Sequence, residues 1–107
     1  MKFEDVVSLR IEKIKSVLCE KAKEYAKDGD RFHNFNVAAR MLGITPERAL
    51  KGMMLKHEVS VNDLIEMAGT TPEKLDAKVI NEKITDNINY LILLEGMLYK
   101  RISDRLK

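Results

Sequence analysis

The chain has 107 residues, 45% hydrophobic and 34% charged, which predicts one soluble globular domain over 1–107 and excludes a disordered chain. Nineteen Lys and Arg against 17 Asp and Glu leave a formal net charge of +2, too small for nucleic-acid binding to follow from charge alone. A single cysteine, Cys19, excludes an internal disulfide and a cysteine-built metal site, and its place in Val17-Leu18-Cys19 predicts a small buried hydrophobe.

No run approaches the roughly 18 apolar residues that span a bilayer. Met1-Lys2-Phe3-Glu4-Asp5 has no apolar signal region, so a cytoplasmic location without membrane contact is expected. A chain this short buries a modest core, and a homo-oligomer is expected on that ground.

The first predicted helix runs from about Phe3 to Ala26. Val6, Val7, Leu9, Ile11, Ile14, Val17, Leu18, Ala22 and Tyr25 follow helical spacing, with Arg10, Glu12, Lys13, Lys15, Lys21 and Lys23 on the other face. Gly29 is the expected left-handed stop. The connection "GDRFHNF" follows, then a short helix over Val37–Leu42 closed by Gly43.

Thr45 before Pro46 reads as a cap and first helical residue. The helix after it either continues through "KHEVSVNDLIEMA" or breaks near Ser60, because Val59 and Val61 lower helix propensity. Thr71-Pro72 repeats the cap signature about 26 residues after the first. A final helix is expected over Lys78–Ser103, apolar on every side from Tyr90 to Leu94. A helix of that kind is buried all round, at the centre of the bundle or at a subunit interface. No strand alternation survives. The expected fold is all-α, a bundle of four to five helices with a long buried C-terminal helix.

Three groups of residues could carry chemistry. Glu82, Asp86 and Asn89 fall on one stripe of the last helix, and the two carboxylates, one turn apart, could share a divalent cation. Lys56, His57 and Ser60 place an ammonium, an imidazole and a hydroxyl on neighbouring positions, a set suited to an anion such as phosphate. In the connecting loop, Arg31 suits anions and Asn34 suits base edges. Phe32 and Phe35 read either as stacking platforms or as core plugs. No Gly-rich phosphate loop, zinc spacing or nucleophile elbow is present, so catalytic residues are not assigned.

Two resemblances rest on these residues. "EKITDNINYLILLEGML" resembles the later motif helix of the MazG-like all-α nucleotide pyrophosphohydrolases. Glu82 and Asp86 match its acids, Lys83 stands in place of another, and only Glu58 matches the earlier acidic motif. That resemblance implies a four-helix oligomer whose carboxylates hold Mg²⁺ against a nucleoside triphosphate. More of the chain, "KEYA…GDRFHNF…AA…KH…S…EK…D…NY", is similar to small phage and prophage proteins of no assigned activity. It implies one pocket that gathers Tyr25, Arg31, Asn34, Lys56, His57, Ser60, Glu82, Asp86, Asn89 and Tyr90.

The expectation is a phage-type protein binding a nucleotide or other phosphorylated small molecule, with Mg²⁺ on Glu82 and Asp86. Two alternatives stay open. "VAARMLGITPERAL" and "VNDLIEMAGTTPEKL" both resemble DNA-binding helix-turn-helix units, with Arg48 and Lys51 as the basic residues of the first. The other alternative is a helical oligomer without catalysis.

Overall fold

Local chemistry sets most of the helix boundaries. The computed structural model describes residues 1–21 and 30–107; Tyr25, the expected helix end at Ala26 and the expected stop at Gly29 lie outside the described residues. Helix α1 spans Phe3–Ile14, and the Lys2 amide at its start donates to the Asp5 carboxylate at 3.2 Å. The chain then continues as a π-helical segment, Lys15–Lys21. Cys19 is exposed in this segment rather than buried. In a run of three apolar residues only the inward position is covered, and Leu18 takes it.

Helix α2 spans His33–Leu42 and begins four residues before the expected Val37. Asp30 is the reason. Its carboxylate accepts the Phe32 amide at 2.9 Å and its carbonyl accepts the His33 amide at 3.2 Å, so the turn is already closed when the chain reaches His33. Gly43 ends α2 at φ 67, and the Ile44 amide returns to the Ala39 carbonyl. Only glycine adopts that backbone without penalty.

Helix α3 spans Pro46–Thr70, with the Thr45 hydroxyl accepting the Arg48 amide at 3.2 Å. It passes Val59-Ser60-Val61 without a break. The modest propensity cost of two β-branched residues is outweighed by packing on both sides, at Met54 and Leu64. Thr71-Pro72 does not start a long helix. It gives one 3₁₀ turn, Pro72–Lys74. Helix α4, Ala77–Arg105, starts instead at Asp76, whose carboxylate accepts the Lys78 amide. The second expected helix-turn-helix is therefore absent: Val61–Thr70 is the end of one continuous helix, and no recognition helix begins at Pro72.

The fold is all-α, four helices with no strand among the described residues. No described helix is long and apolar enough to cross a membrane. The core gathers Phe35 from α2, Leu50 and Met54 from α3, and Met97 from α4, ringed by Phe32, Met53, Tyr90, Leu93 and Leu94. Leu50 is fully buried.

Phe32 lies against the backbone of α4 at Gly96, where an added Cβ would stand 3.2 Å from its ring. The two phenylalanines of the connecting loop thus pin it to the bundle. Helix α4 is long and touches each other helix, yet a single chain does not bury it all round. Only Thr85, Asn89 and Met97 are buried on it, while Leu91 is 51% exposed.

The molecule is elongated, 51 × 28 × 26 Å, with a radius of gyration of 16.2 Å. A compact chain of this length has about 13 Å.

Candidate functional site

The polar residues that converge do so across the seam between α3 and α4. Tyr90 is the centre. Its ring takes the edge of Phe35 from α2, with centroids 6.1 Å apart at 77°, and lies tilted against His57 from α3 at 4.9 Å and 32°. Asp86, one turn before Tyr90 on α4, brings Oδ2 to 3.6 Å from His57 Nδ1. That separation is an electrostatic contact rather than a hydrogen bond. The imidazole side chain is 17% exposed and the carboxylate 52%.

Burial, and after it the Asp86 charge, holds the Tyr90 phenol above its ordinary value, so its hydroxyl stays a donor. The result is a tyrosine and a histidine stacked beside a carboxylate, half open to solvent.

Asn89 precedes Tyr90 on α4. It is 7% exposed, and its Oδ1 has no hydrogen-bond partner among the described residues. A buried amide oxygen left in this state costs about 1–3 kcal/mol. Ser60 is one turn along α3 from His57 and half-buried. Lys56 is exposed next to His57, and Glu82 is exposed one turn before Asp86. Arg31 and Asn34 are exposed at the start of α2, the helix whose Phe35 reaches Tyr90.

Thus His57, Asp86 and Tyr90 come together, and the buried Asn89 adjoins Tyr90 along α4. Among the described residues no hydrogen bond or ion pair joins Arg31, Asn34, Lys56 or Glu82 to them. Nor do three His, Cys, Asp or Glu side chains gather as a metal site among the described residues. Glu82 and Asp86 offer two carboxylates one turn apart.

Compared with known proteins, the chain matches no family model, no curated protein and no solved structure.

Two further polar arrangements escaped the sequence reading. Arg10, expected on the solvent face of α1, instead reaches α4. It donates to the hydroxyl of Thr85 and, at 3.0 Å, to Oδ1 of Asn81, while Thr85 donates to Asn81 at 3.3 Å. The available signal was the spacing of Asn81, Thr85 and Asn89, a polar line at i, i+4, i+8 on an apolar helix. Arg101 holds Glu47 with both ends of its guanidinium, at 3.0 and 2.8 Å, and ties the end of α4 to the start of α3.

This second pair lines a cavity of about 180 Å³ with Phe32, Asn36, Met97 and Lys100. The cavity is smaller than the roughly 300 Å³ at which ligand pockets begin. Its cations are also engaged, Arg101 by Glu47 and Lys100 by Asp104 at 2.9 Å.

Proposed function

We propose that this protein binds a phosphorylated nucleoside or related phosphorylated small molecule on the α3–α4 seam. The observation that carries the reading is the convergence of His57, Asp86 and Tyr90 on the seam, next to Asn89 on α4, a buried amide whose oxygen lacks a donor among the described residues. A base or sugar that brings a donor to Asn89 relieves that deficit, and the Tyr90–His57 stack supplies an aromatic neighbour. Lys56 and Ser60, on the adjoining turns of α3, suit a phosphate, and Arg31 and Asn34 from the start of α2 complete the set.

Mg²⁺ fits this reading in one form. The ion commonly takes one or two protein carboxylates and fills its shell with phosphate oxygens and water. Glu82 and Asp86 are such a pair, so the ion would arrive with the phosphorylated ligand. The likeness of "EKITDNINYLILLEGML" to the MazG-like motif helix supports the same assignment, in the setting of a phage-encoded protein in its host's cytoplasm.

The test is a melting series against nucleoside mono-, di- and triphosphates, with and without Mg²⁺. A ligand at 100 times its Kd stabilises by about 2.7 kcal/mol. No shift with any of them removes the proposal, and release of phosphate or pyrophosphate in the same samples decides whether hydrolysis accompanies binding.

Duplex DNA is the second reading, supported by the short turn at Gly43 between α2 and α3 and by the exposed Arg48. Salt-dependent retention on DNA, lost in Arg48→Ala and Lys51→Ala, would replace the first reading with this one.

A further inference from the structure

Helix α4 carries an apolar stripe that is symmetric about its own midpoint. Counting from Leu91, the residues three positions away are Ile88 and Leu94, those seven away are Ile84 and Leu98, and those eleven away are Ile80 and Ile102. At about 100° per residue, Ile80, Ile84, Leu91, Leu98 and Ile102 lie within about 20° of one line, with Ile88 and Leu94 about 60° to either side.

The stripe spans roughly 33 Å of helix at 1.5 Å per residue. It lies away from the face that carries the buried Thr85, Asn89 and Met97. Ile80, Leu91, Leu98 and Ile102 are exposed on it.

The whole chain shows the same deficit. Its accessible area is 8022 Å². A folded monomer of this mass exposes about 6,100 Å² by the usual scaling. The excess, roughly 1,900 Å² by that comparison, exceeds the about 800 Å² that each partner contributes to a standard interface. Helix α1 adds to it: it has no buried residue, and Phe3, Val6, Val7, Leu9 and Ile11 are all exposed.

We propose that two copies of this chain pair through antiparallel α4 helices, with the two-fold axis at Leu91. Reversal about Leu91 puts Ile80 opposite Ile102, Ile84 opposite Leu98 and Ile88 opposite Leu94 of the second copy. A two-fold interface must be complementary to itself, and this stripe meets that condition position by position.

Polar and charged residues agree with the antiparallel sense. Asn87 and Glu95, four positions either side of Leu91, become an amide opposite a carboxylate, which can accept from the Asn87 amide nitrogen. The half of α4 before Leu91, with its Asp76 cap, carries Asp76, Glu82 and Asp86 against Lys78 and Lys83. The half after it and the tail carry Lys100, Arg101, Arg105 and Lys107 against Glu95 and Asp104. Antiparallel pairing sets the acidic half on the basic half. Parallel pairing would set like on like. The His57–Asp86–Tyr90 group faces α3 and stays outside the interface.

The experiment uses the full chain with Cys19→Ser. Sedimentation equilibrium is expected to give a particle of at least twice the 12.3 kDa chain mass. Leu91→Glu brings two carboxylates to the axis and is expected to raise the dimer Kd by about 100-fold or more, with helicity unchanged.

Orientation is read with a short bis-maleimide. Leu91→Cys links to itself. Ile80→Cys and Ile102→Cys do not link alone, but do link when mixed. A monomeric wild-type chain overturns the proposal. So does a dimer that Leu91→Glu leaves intact, or self-linking by Ile80→Cys, which marks a parallel pair.

Discussion

Replacing Asn89 by leucine is expected to make the protein more stable and less able to hold its ligand. Leucine has the same branching and the same number of side-chain heavy atoms as asparagine, with bulkier methyl groups in place of the amide. Asn89 is 7% exposed and its Oδ1 has no partner among the described residues, so on that basis the wild-type fold carries the desolvation cost of that oxygen. Removing the cost returns about 1–3 kcal/mol. The exchange also gains up to about 0.7 kcal/mol of helix propensity in the middle of α4.

Thermal unfolding followed by helical circular dichroism should show the gain. About 1 kcal/mol moves the midpoint by about 4 °C in a chain of this size. The same sample should lose its nucleotide-induced shift, because the amide that meets the base or sugar is gone. Stability held at a cost to function is the pattern expected of a binding site. A loss of 1 kcal/mol or more would refute the reasoning, since the amide's own hydrogen bonds or the overpacking by leucine then outweigh the desolvation cost of Oδ1. An unchanged nucleotide shift would remove Asn89 from the binding site.

Leu50→Ala, at the one fully buried side chain of the core cluster, should cost about 2–5 kcal/mol in urea unfolding, and a loss under 1 kcal/mol would show that the site collapses around the gap. Glu47 is held below the ordinary glutamate value, chiefly by the hydrogen bond from Arg101. Its folded form binds fewer protons than the unfolded chain, so its contribution is present above the unfolded value and is lost as pH falls through the folded one.

Arg101 is 59% exposed, which limits that contribution to about 1 kcal/mol or less; Glu47→Gln should lose this at pH 7 and match wild type in strong acid. Gly52 lies inside α3 with open space around it, so Gly52→Ala should stabilise by about 0.5–1 kcal/mol. Gly43→Ala, also in open space but at φ 67, should instead destabilise by about 1 kcal/mol, and the opposite signs of the two melts are the check.

Much of the site was legible residue by residue, and its assembly was not. His57, Asp86, Asn89 and Tyr90 stand out in the sequence as polar or aromatic groups on an apolar background. The meeting of His57 with Asp86 and Tyr90 depends on the register of α3 against α4, which no local pattern encodes. Arg10 was missed for the same reason. On α1 alone it belongs with the solvent-facing cations, and only the approach of α4 turns it toward Asn81 and Thr85, more than seventy residues away.

What the sequence determined by itself is the set of decisions made within one helical turn. Thr45-Pro46 starts a helix because a hydroxyl and a fixed φ act on the next three residues. Gly43 ends one because it alone accepts a positive φ. The all-α class follows from apolar spacing. The symmetry of the α4 stripe about Leu91 can also be counted from the sequence.

Tertiary structure decided the rest, because those outcomes are sums over distant contacts. Helix α3 runs through Ser60 since packing at Met54 and Leu64 outweighs a weak local preference to break. Thr71-Pro72, with the same cap letters as Thr45-Pro46, yields only a 3₁₀ turn, and Asp76 takes over the start of α4. Burial divided the apolar residues of α4 between a face against α2 and α3 and a stripe left open. A hydrophobic sequence specifies that a surface will be covered. Which partner covers it is settled only by where the other helices lie.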